Sequence, residues 1–533
     1  MSSEIAPVAK RKAQQNTSAA DAAILTTAKG SGILAAGKVV ETGGRFVLAV
    51  LLARILGADQ FGQYTLALAT TALVGSIGKV GMDSAVVRFV AVYTGNKDEA
   101  GVWGVLQIAL AFALSASVLL GLGLFFLAEP IALRIYHEPQ LASLLRLGAV
   151  MVPIAVLNDI LIGASRGFKR MHFPVLAQDI VHLLVRLVLL GGLAFAGLNA
   201  YLAILTYGIA DLVSVIILLY LLNGVFSWKR PLRTARRELR NTLNYSVPLF
   251  LSELLKTFRS DIQTILLGAT YAVASVGVFT VANKVNMIGR IASFSLMASA
   301  EPAFAELHAK EDRSQLQHLY RATSRWMFAL NFPLVLLTIL FAKPLLAIFG
   351  ESFISGSLAL ILLSLTTLVT VSTGLAGTVI EMAGYTRLKL INSVSQLALF
   401  VITSVIFIPR WGVVGAASAA LVSIGITQIA RLVQTAILLR MQPYDVWFAR
   451  AAAGAAVTTA LAFYTRWQFH TDANIIVAAI HAATILIVYA AALMLFGLAP
   501  QDKLIVARSI DRFRTLFLDR ESRARRFFAG AGD

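Results

Sequence analysis

Apolar and polar residues along this chain come in blocks, with few short-period alternations. Apolar runs fall at roughly 28–56, 62–82, 102–127, 141–164, 174–196, 200–222, 243–268, 275–299, 322–341, 355–380, 389–408, 413–438, 449–467 and 474–498. That makes about fourteen runs, each near the ~20 residues a bilayer-crossing helix needs. Lipid offers the backbone no hydrogen bonds, so each run is expected to be helical. The fold class read from the pattern is an all-α polytopic membrane protein. Between the runs lie short polar connections, and both ends are polar. Residues 1–26 are Ala/Ser-rich and read as a flexible tail.

The pattern also repeats. Leu51-Leu-Ala-Arg-Ile-Leu-Gly57-Ala58 is followed by Phe61-Gly-Gln-Tyr-Thr-Leu-Ala67. Much later, Thr264-Ile-Leu-Leu-Gly268-Ala269 is followed by Val276-Gly-Val-Phe-Thr-Val-Ala282. The first glycines lie 211 positions apart and the second 215, so the later copy is read with a loop four residues longer. Each copy is a greasy helix end, a Gly-containing break and a second greasy helix. Two related halves with the substrate path between them is a common transporter plan.

Lys and Arg fall on alternate connections. One set holds Arg88, Lys97, Arg166, Lys169 and Arg170, then Lys310, Arg313, Arg321, Arg325, Arg387, Lys389 and Arg440. The same set includes the segment 223–242, with six basic residues and one Glu. The other set carries at most one each, such as Arg134, Lys343, Arg410 and Arg466. The positive-inside rule places the basic set and both termini in the cytoplasm. The resulting domain scheme is a tail to residue 26, a six-helix bundle at 27–222, the basic linker 223–242, a second six-helix bundle at 243–440, two added helices at 441–498 and a basic tail at 499–533. Val506, Ile510, Phe513 and Phe517 recur at helical spacing, and Arg508, Arg512, Arg514 and Arg520 fall mostly on the other side. The tail is therefore expected to be an amphipathic helix on the anionic membrane surface. Residues 303–320 are a second candidate of that kind.

Composition agrees with the pattern. Hydrophobic residues make up 58% and charged ones 14% of the 533 residues, against roughly 25% charged in soluble domains. The net charge of +18 would suggest nucleic acid in a soluble chain, but here it is spent on topology. There is no cysteine, so no thiolate site exists. The seven histidines show no metal-ligand spacing, and no metal or cofactor is expected. Lys10, Arg11 and Lys12 precede the first apolar run, but Lys38, Glu41 and Arg45 within it exclude a signal peptide.

The candidate chemistry lies in charges inside the spans. Lys38, Glu41 and Arg45 share one face of the first span at i, i+3 and i+7. Such a charge costs about 2.5–3.5 kcal/mol at bilayer depth and faces a water-filled or bundle-interior surface. The seventh span repeats the theme with Glu253, Lys256 and Arg259, and the repeat offset maps Arg45 onto Lys256. Two matched charged faces predict a polar, net-cationic cavity suited to an anionic substrate. The alternative is that Glu41 and Arg45 merely pair. Lys79, Asp159, Asp179, Arg186 and Asp211 are further charges in or near spans. The stretch Gly32–Lys38 has the spacing of a phosphate loop, but Val39 stands where a hydroxyl is needed and no strand precedes it, so it is set aside.

The stretch from Ala53 through Gly57, Gly62 and Tyr64, followed by Gly81-Met-Asp-Ser-Ala-Val-Val-Arg88, resembles the first pair of spans of Wzx-type polysaccharide flippases. Tyr245-Ser-Val-Pro248 through Asp261, Gly268 and Val276–Ala282 resembles their seventh and eighth spans. The resemblance covers roughly residues 28–440. These proteins share a superfamily, the MOP exporters, with MATE drug exporters and lipid II flippases. The resemblance implies a MATE-like fold and no enzymatic activity. It implies translocation of an undecaprenyl-diphosphate-linked oligosaccharide across the bacterial inner membrane by alternating access, for exopolysaccharide, capsule or O-antigen synthesis. Candidate partners are membrane lipids, a polysaccharide polymerase and a chain-length regulator, with no nucleic acid. Two alternatives share the fold. A cation-coupled drug exporter would favour an acidic cavity. A lipid II flippase would carry an Arg-Asp pattern near the end of the first span, which this chain lacks.

Overall fold

The computed structural model describes residues 42–499, except 196, 228–234, 237 and parts of 252–260, 291–311, 469–476 and 496–498. The tail at 1–26 and the amphipathic tail at 500–526 lie outside the described residues. So do the side chains of Lys38, Glu41, Lys256 and Arg259. The candidate surface helix 303–320 is described only in part, and its later residues open a long helix that starts at Arg313.

Every described element is a helix. In chain order they are α1 (Ile5–Lys79), α2 (Met82–Gly95), α3 (Glu99–Pro130), α4 (Leu141–Gly167), α5 (His172–Ala194), α6 (Ala200–Asn223), α7 (Leu239–Thr270) and α8 (Val273–Asn286). Then come α9 (Arg313–Leu340), α10 (Ala342–Ala347), α11 (Ser357–Ser372), α12 (Ala376–Met382), α13 (Thr386–Gln434), α14 (Val446–Phe469) and α15 (Ile475–Ala492). Among the described residues, ten helical segments are long and apolar enough to cross a membrane. Their outer faces are apolar: Leu119, Phe126, Val188, Ile437 and Ile487 are each at least 70% exposed. A water-soluble protein rarely shows so much apolar surface. The fold is all-helical and polytopic, as the sequence predicts.

Two connections that the sequence reads as loops are single-residue elbows. α1 runs through the expected loop at 57–61 and breaks only at Gly57, with φ 68 and ψ 178. α13 breaks only at Gly412, with φ 53 and ψ −123. Both conformations are nearly closed to residues with a Cβ. One glycine can therefore kink a hydrophobic helix without exposing a polar loop. The starts of α3, α6 and α9 are set by side-chain caps. The carboxylates of Asp98 and Asp312 and the amide oxygen of Asn199 each accept from a backbone N–H three residues on. α5 contains a π-helical stretch, Val175–Val181, directly after Pro174. The missing N–H of Pro174 loosens the ladder there, and wide turns of this kind are common at functional sites.

Contacts divide the chain into two compact units. The first comprises Met1–Val281, Leu346–Gly356 and Ser404–Ala416. Its core joins Val86 and Val90 of α2, Leu106 and Ala109 of α3, Ile160 and Ala164 of α4, and Leu218 and Leu222 of α6. The two copies of the sequence repeat meet in this unit through their second glycines. A Cβ placed on Gly62 would lie 2.1 Å from the carbonyl oxygen of Val273, and one placed on Gly277 would lie 2.3 Å from that of Ala58. Ala58 and Val273 each stand four positions before their own glycine, so the contact is reciprocal. The second comprises Ala282–Leu345, Ser357–Thr403 and Ala417–Asp533. Its core packs Tyr320, Phe328 and Phe332 of α9 against Val371, Val379, Phe448 of α14 and Tyr489 of α15. The two added helices are thus part of the second unit's core.

A buried polar cluster in the first unit

Within the first unit, α1, α5 and α6 bring five polar side chains together. Arg186 on α5 is 7% exposed, and its Nη2 donates to the Tyr64 hydroxyl on α1 at 2.8 Å. Its guanidinium carbon lies 4.9 Å from the centre of the Tyr207 ring on α6. The His182 ring stands edge-on to the same tyrosine, with centroids 5.1 Å apart. Its Nε2 is 3.4 Å from Oδ1 of Asp211, and both side chains are buried. Buried charges persist only when paired and hydrogen-bonded. Arg186 and Asp211 supply opposite charges to one cluster, and the tyrosines supply a hydroxyl and a ring face.

Arg45 approaches the cluster from α1. The adjacent Gly44 packs directly on Leu183 of α5. Arg45 is exposed, and it acts electrostatically on Tyr207, as do Arg186 and Asp211. Half-buried Tyr207 thus has Arg186 over its ring and Arg45 within electrostatic reach. Beside them, Asn158 of α4 donates to Gln178 on the π-helical stretch at 2.8 Å, and the Ser214 hydroxyl donates to Asn158 at 3.0 Å. Where α1 ends, Lys79 pairs with Asp159 at 3.0 Å and with Asp83 at 3.8 Å.

Of the six sequence-predicted site residues, Arg45 and Glu253 are described. Arg45 addresses Tyr207, while half-buried Glu253 on α7 lies within electrostatic reach of Lys79. Lys38, Glu41, Lys256 and Arg259 fall outside the described side chains. Sequence reasoning named Arg186 and Asp211 only as charges of undecided role and passed over Tyr64, His182 and Tyr207. The available signal was a cation and an anion in consecutive spans, which at bilayer depth face the bundle interior.

The second unit holds a more neutral counterpart. Arg431 donates to Gln428 at 3.0 Å and to Gln396 at 3.4 Å. Gln428 donates to the Thr373 hydroxyl at 2.9 Å, and Asn392 and Gln434 exchange two hydrogen bonds.

The helical framework is that of the MOP transporters. It aligns with the lipid II flippase MurJ, in an inward closed conformation, at a TM-score of 0.68 and 13% identity, covering 87% of this chain and 97% of that one. With a multidrug resistance MATE transporter in an inward-facing conformation the TM-score is 0.63 at 16% identity, covering 75% and 94%. At such identities the likeness concerns the fold alone. The sequence profile of the family described as "Polysaccharide biosynthesis protein" matches residues 27–308, more than half of the chain, and the chain belongs to that family. The MatE profile matches residues 248–406. The succinoglycan biosynthesis transport protein ExoT of Rhizobium meliloti (strain 1021) is 27% identical over 280 residues, which is 51% of this chain. That match spans 53% of the length of ExoT. The protein is a polytopic, all-helical member of the polysaccharide biosynthesis protein family, with the fold that MurJ and the MATE transporter share.

Proposed function

We propose that this transporter moves an oligosaccharide linked to undecaprenyl diphosphate from the cytoplasmic to the outer leaflet of a bacterial inner membrane. The observation that carries the reading is a buried arginine, Arg186, held over the Tyr207 ring with Arg45 within electrostatic reach of the same tyrosine, inside a unit whose outer surface is apolar. A diphosphate needs cationic partners, and a lipid carrier needs a protein embedded in its own bilayer. In this reading Arg45, Lys38, Lys256 and Arg259 attract the diphosphate, and Glu41 and Glu253 balance them while the site is empty. The chain crosses the membrane fourteen times, as two six-helix bundles and two added helices, with both termini and the basic linker in the cytoplasm. The working partners are the lipid-linked glycan, a polysaccharide polymerase and a chain-length regulator.

The test is export in cells whose own gene is deleted. Arg45→Ala and Lys256→Ala should each lower surface polysaccharide at normal protein abundance, with the lipid-linked repeat unit accumulating on the cytoplasmic side. Arg45→Lys should keep much of the activity, because an ammonium still attracts phosphate. If the double variant Arg45→Ala/Glu41→Ala regains export, Arg45 is only a structural partner of Glu41. Buried Asp211 favours a second reading, a cation-coupled exporter of the same fold. In that case deletion of the gene would leave surface polysaccharide unchanged.

A further inference from the structure

The π-helical stretch of α5 carries a side chain whose orientation is fixed from behind. Gln178 turns its amide oxygen toward α4 and α6, where Asn158 Nδ2 donates to it at 2.8 Å and the Ser214 hydroxyl stands 3.4 Å away. The Ser214 hydroxyl donates to the Asn158 oxygen at 3.0 Å, and both of these side chains are buried. With the oxygen held, the amide nitrogen of Gln178 must point the other way. That nitrogen has no hydrogen-bond partner among the described residues, and Gln178 is only half-buried. It therefore presents two N–H donors to open space.

Two further open nitrogens follow on the same helix face. Gln178, His182 and Arg186 recur at four-residue intervals, and the slow winding of the π stretch keeps them in one stripe. Nε2 of His182 and Nε of Arg186 are fully buried, and neither has a hydrogen-bond partner among the described residues. Buried polar groups are nearly always satisfied, so open ones beside a polar site are groups that a ligand completes. Asp159 adjoins Asn158 on α4. Lys79 holds one of its oxygens at 3.0 Å, yet 43% of the Asp159 side-chain surface stays open. The surrounding helices desolvate it all the same, and Asp211 is within its electrostatic reach. A carboxylate that is both open and desolvated lines a cavity among the helices and not their lipid face.

We propose that Gln178 and Asp159 form a sugar-reading subsite, set apart from the arginines that take the diphosphate. The subsite deepens the proposed function and rests on it. The polar interior of the first unit is segregated. Arg186 and Arg45 supply cations at one end. Eight residues earlier on α5, roughly 12 Å along the helix, the partners on offer are an amide and a carboxylate. A sugar hydroxyl donates and accepts at once, and an amide N–H near a carboxylate gives it one partner of each kind. A diphosphate only accepts, and Asp159 with neighbouring Asp83 repels it. α5 begins after Arg166, Lys169 and Arg170, which the positive-inside rule puts in the cytoplasm. The first sugars of the glycan therefore sit on the cytoplasmic side of their diphosphate. A sugar without an acceptor at that point leaves the held N–H groups unpaired and is rejected.

The measurement is a ratio of two affinities, taken on the full chain in lipid nanodiscs. One ligand is undecaprenyl diphosphate alone. The other is the glycan-linked carrier extracted from cells whose own gene is deleted. Damage to the fold or to the diphosphate site lowers both affinities and cancels in the ratio. The unsubstituted protein should bind the glycan-linked carrier more tightly. Gln178→Met, which keeps the volume and removes the donors, should cut that preference about tenfold, the worth of one hydrogen bond left unmade. An unchanged preference at normal abundance overturns the subsite. If Gln178→Met is degraded, Asp159→Asn decides in the same way, since it keeps the shape and changes the acceptor; an unchanged preference there also overturns it. Equal binding of both carriers by the unsubstituted protein overturns the subsite and leaves the diphosphate reading standing. Binding of neither carrier sinks the transport reading and the subsite with it.

Discussion

Arg186 is the residue on which the polar cluster of the first unit turns. It is a full positive charge, almost wholly buried, that gives one hydrogen bond to Tyr64 and lies over the face of Tyr207. Its removal takes the buried cation out of a cluster whose Asp211 carboxylate then has the His182 ring, 3.4 Å away, as its partner. Losing one partner of a buried charge pair costs about 3–5 kcal/mol, whereas an interhelical hydrogen bond in a membrane protein averages about 0.6 kcal/mol. Arg186→Met should therefore lower the thermal unfolding midpoint in detergent several times more than Tyr64→Phe does. Equal losses would show that the hydrogen bond, not the charge, is what matters. The charges of this site were legible in the sequence, because Arg and Asp stand out in apolar spans. Their partners were not. A helix buried on all sides has no polar face, so periodicity could not say which way Arg186 or Tyr207 points.

At the scale of elements, the apolar runs announced helices, ten of which among the described residues are long and apolar enough to cross a membrane, and the junctions were read less well. Apolar length announces a helix, but one glycine in an allowed φ region replaces a loop, as at Gly57 and Gly412. The basic linker shows the converse. Charge alone marked it as a polar spacer, yet its described end is docked. Arg236 pairs with Asp98 at 2.9 Å and with Glu238 at 3.0 Å, lies over the Tyr93 ring, and donates its amide to the Ala100 carbonyl at 3.0 Å. Hydrogen bonds from Asn241 and Tyr93, with the Arg236 charge, hold the Glu238 carboxyl below the usual carboxylate range. Because the docked value is depressed, this contribution is complete above the ordinary glutamate pKa and is lost as pH falls through the docked value. Hydrogen exchange at the Arg236 amide, corrected for intrinsic rate, should show protection at neutral pH that weakens in acid. Glu238→Gln should remove most of that pH dependence, and an unchanged profile would rule out Glu238 as its source.

For the whole molecule, the repeat and the family resemblance were enough to point to a MOP-type fold and to the polysaccharide biosynthesis family, and the fold and the family profile agree. Orientation remains a matter for chemistry on the intact protein. Ser227 and Asn199 are both exposed. A single cysteine at Ser227 should resist an impermeant thiol reagent in intact cells and react in inverted vesicles, and one at Asn199 should do the reverse. Labelling of Ser227 from outside would reverse the direction of transport. What no one-dimensional reading could supply was that the two repeats touch. Similar segments far apart in a chain need not be neighbours, and only three dimensions place Gly62 on Gly277.

That contact has a consequence for how such a chain could have arisen. Residue against residue, with each copy giving the other what it receives, is the rule of an isologous interface in a two-fold homodimer. A half-length ancestor pairing with itself would have needed only one glycine to make this crossing, and gene duplication followed by fusion would have preserved it twice. The covalent join would then be a convenience of expression. A gene cut between Ser227 and Ala235 and expressed as two polypeptides should yield fragments that co-purify from the membrane, and Gly277→Val in the second fragment should weaken their association.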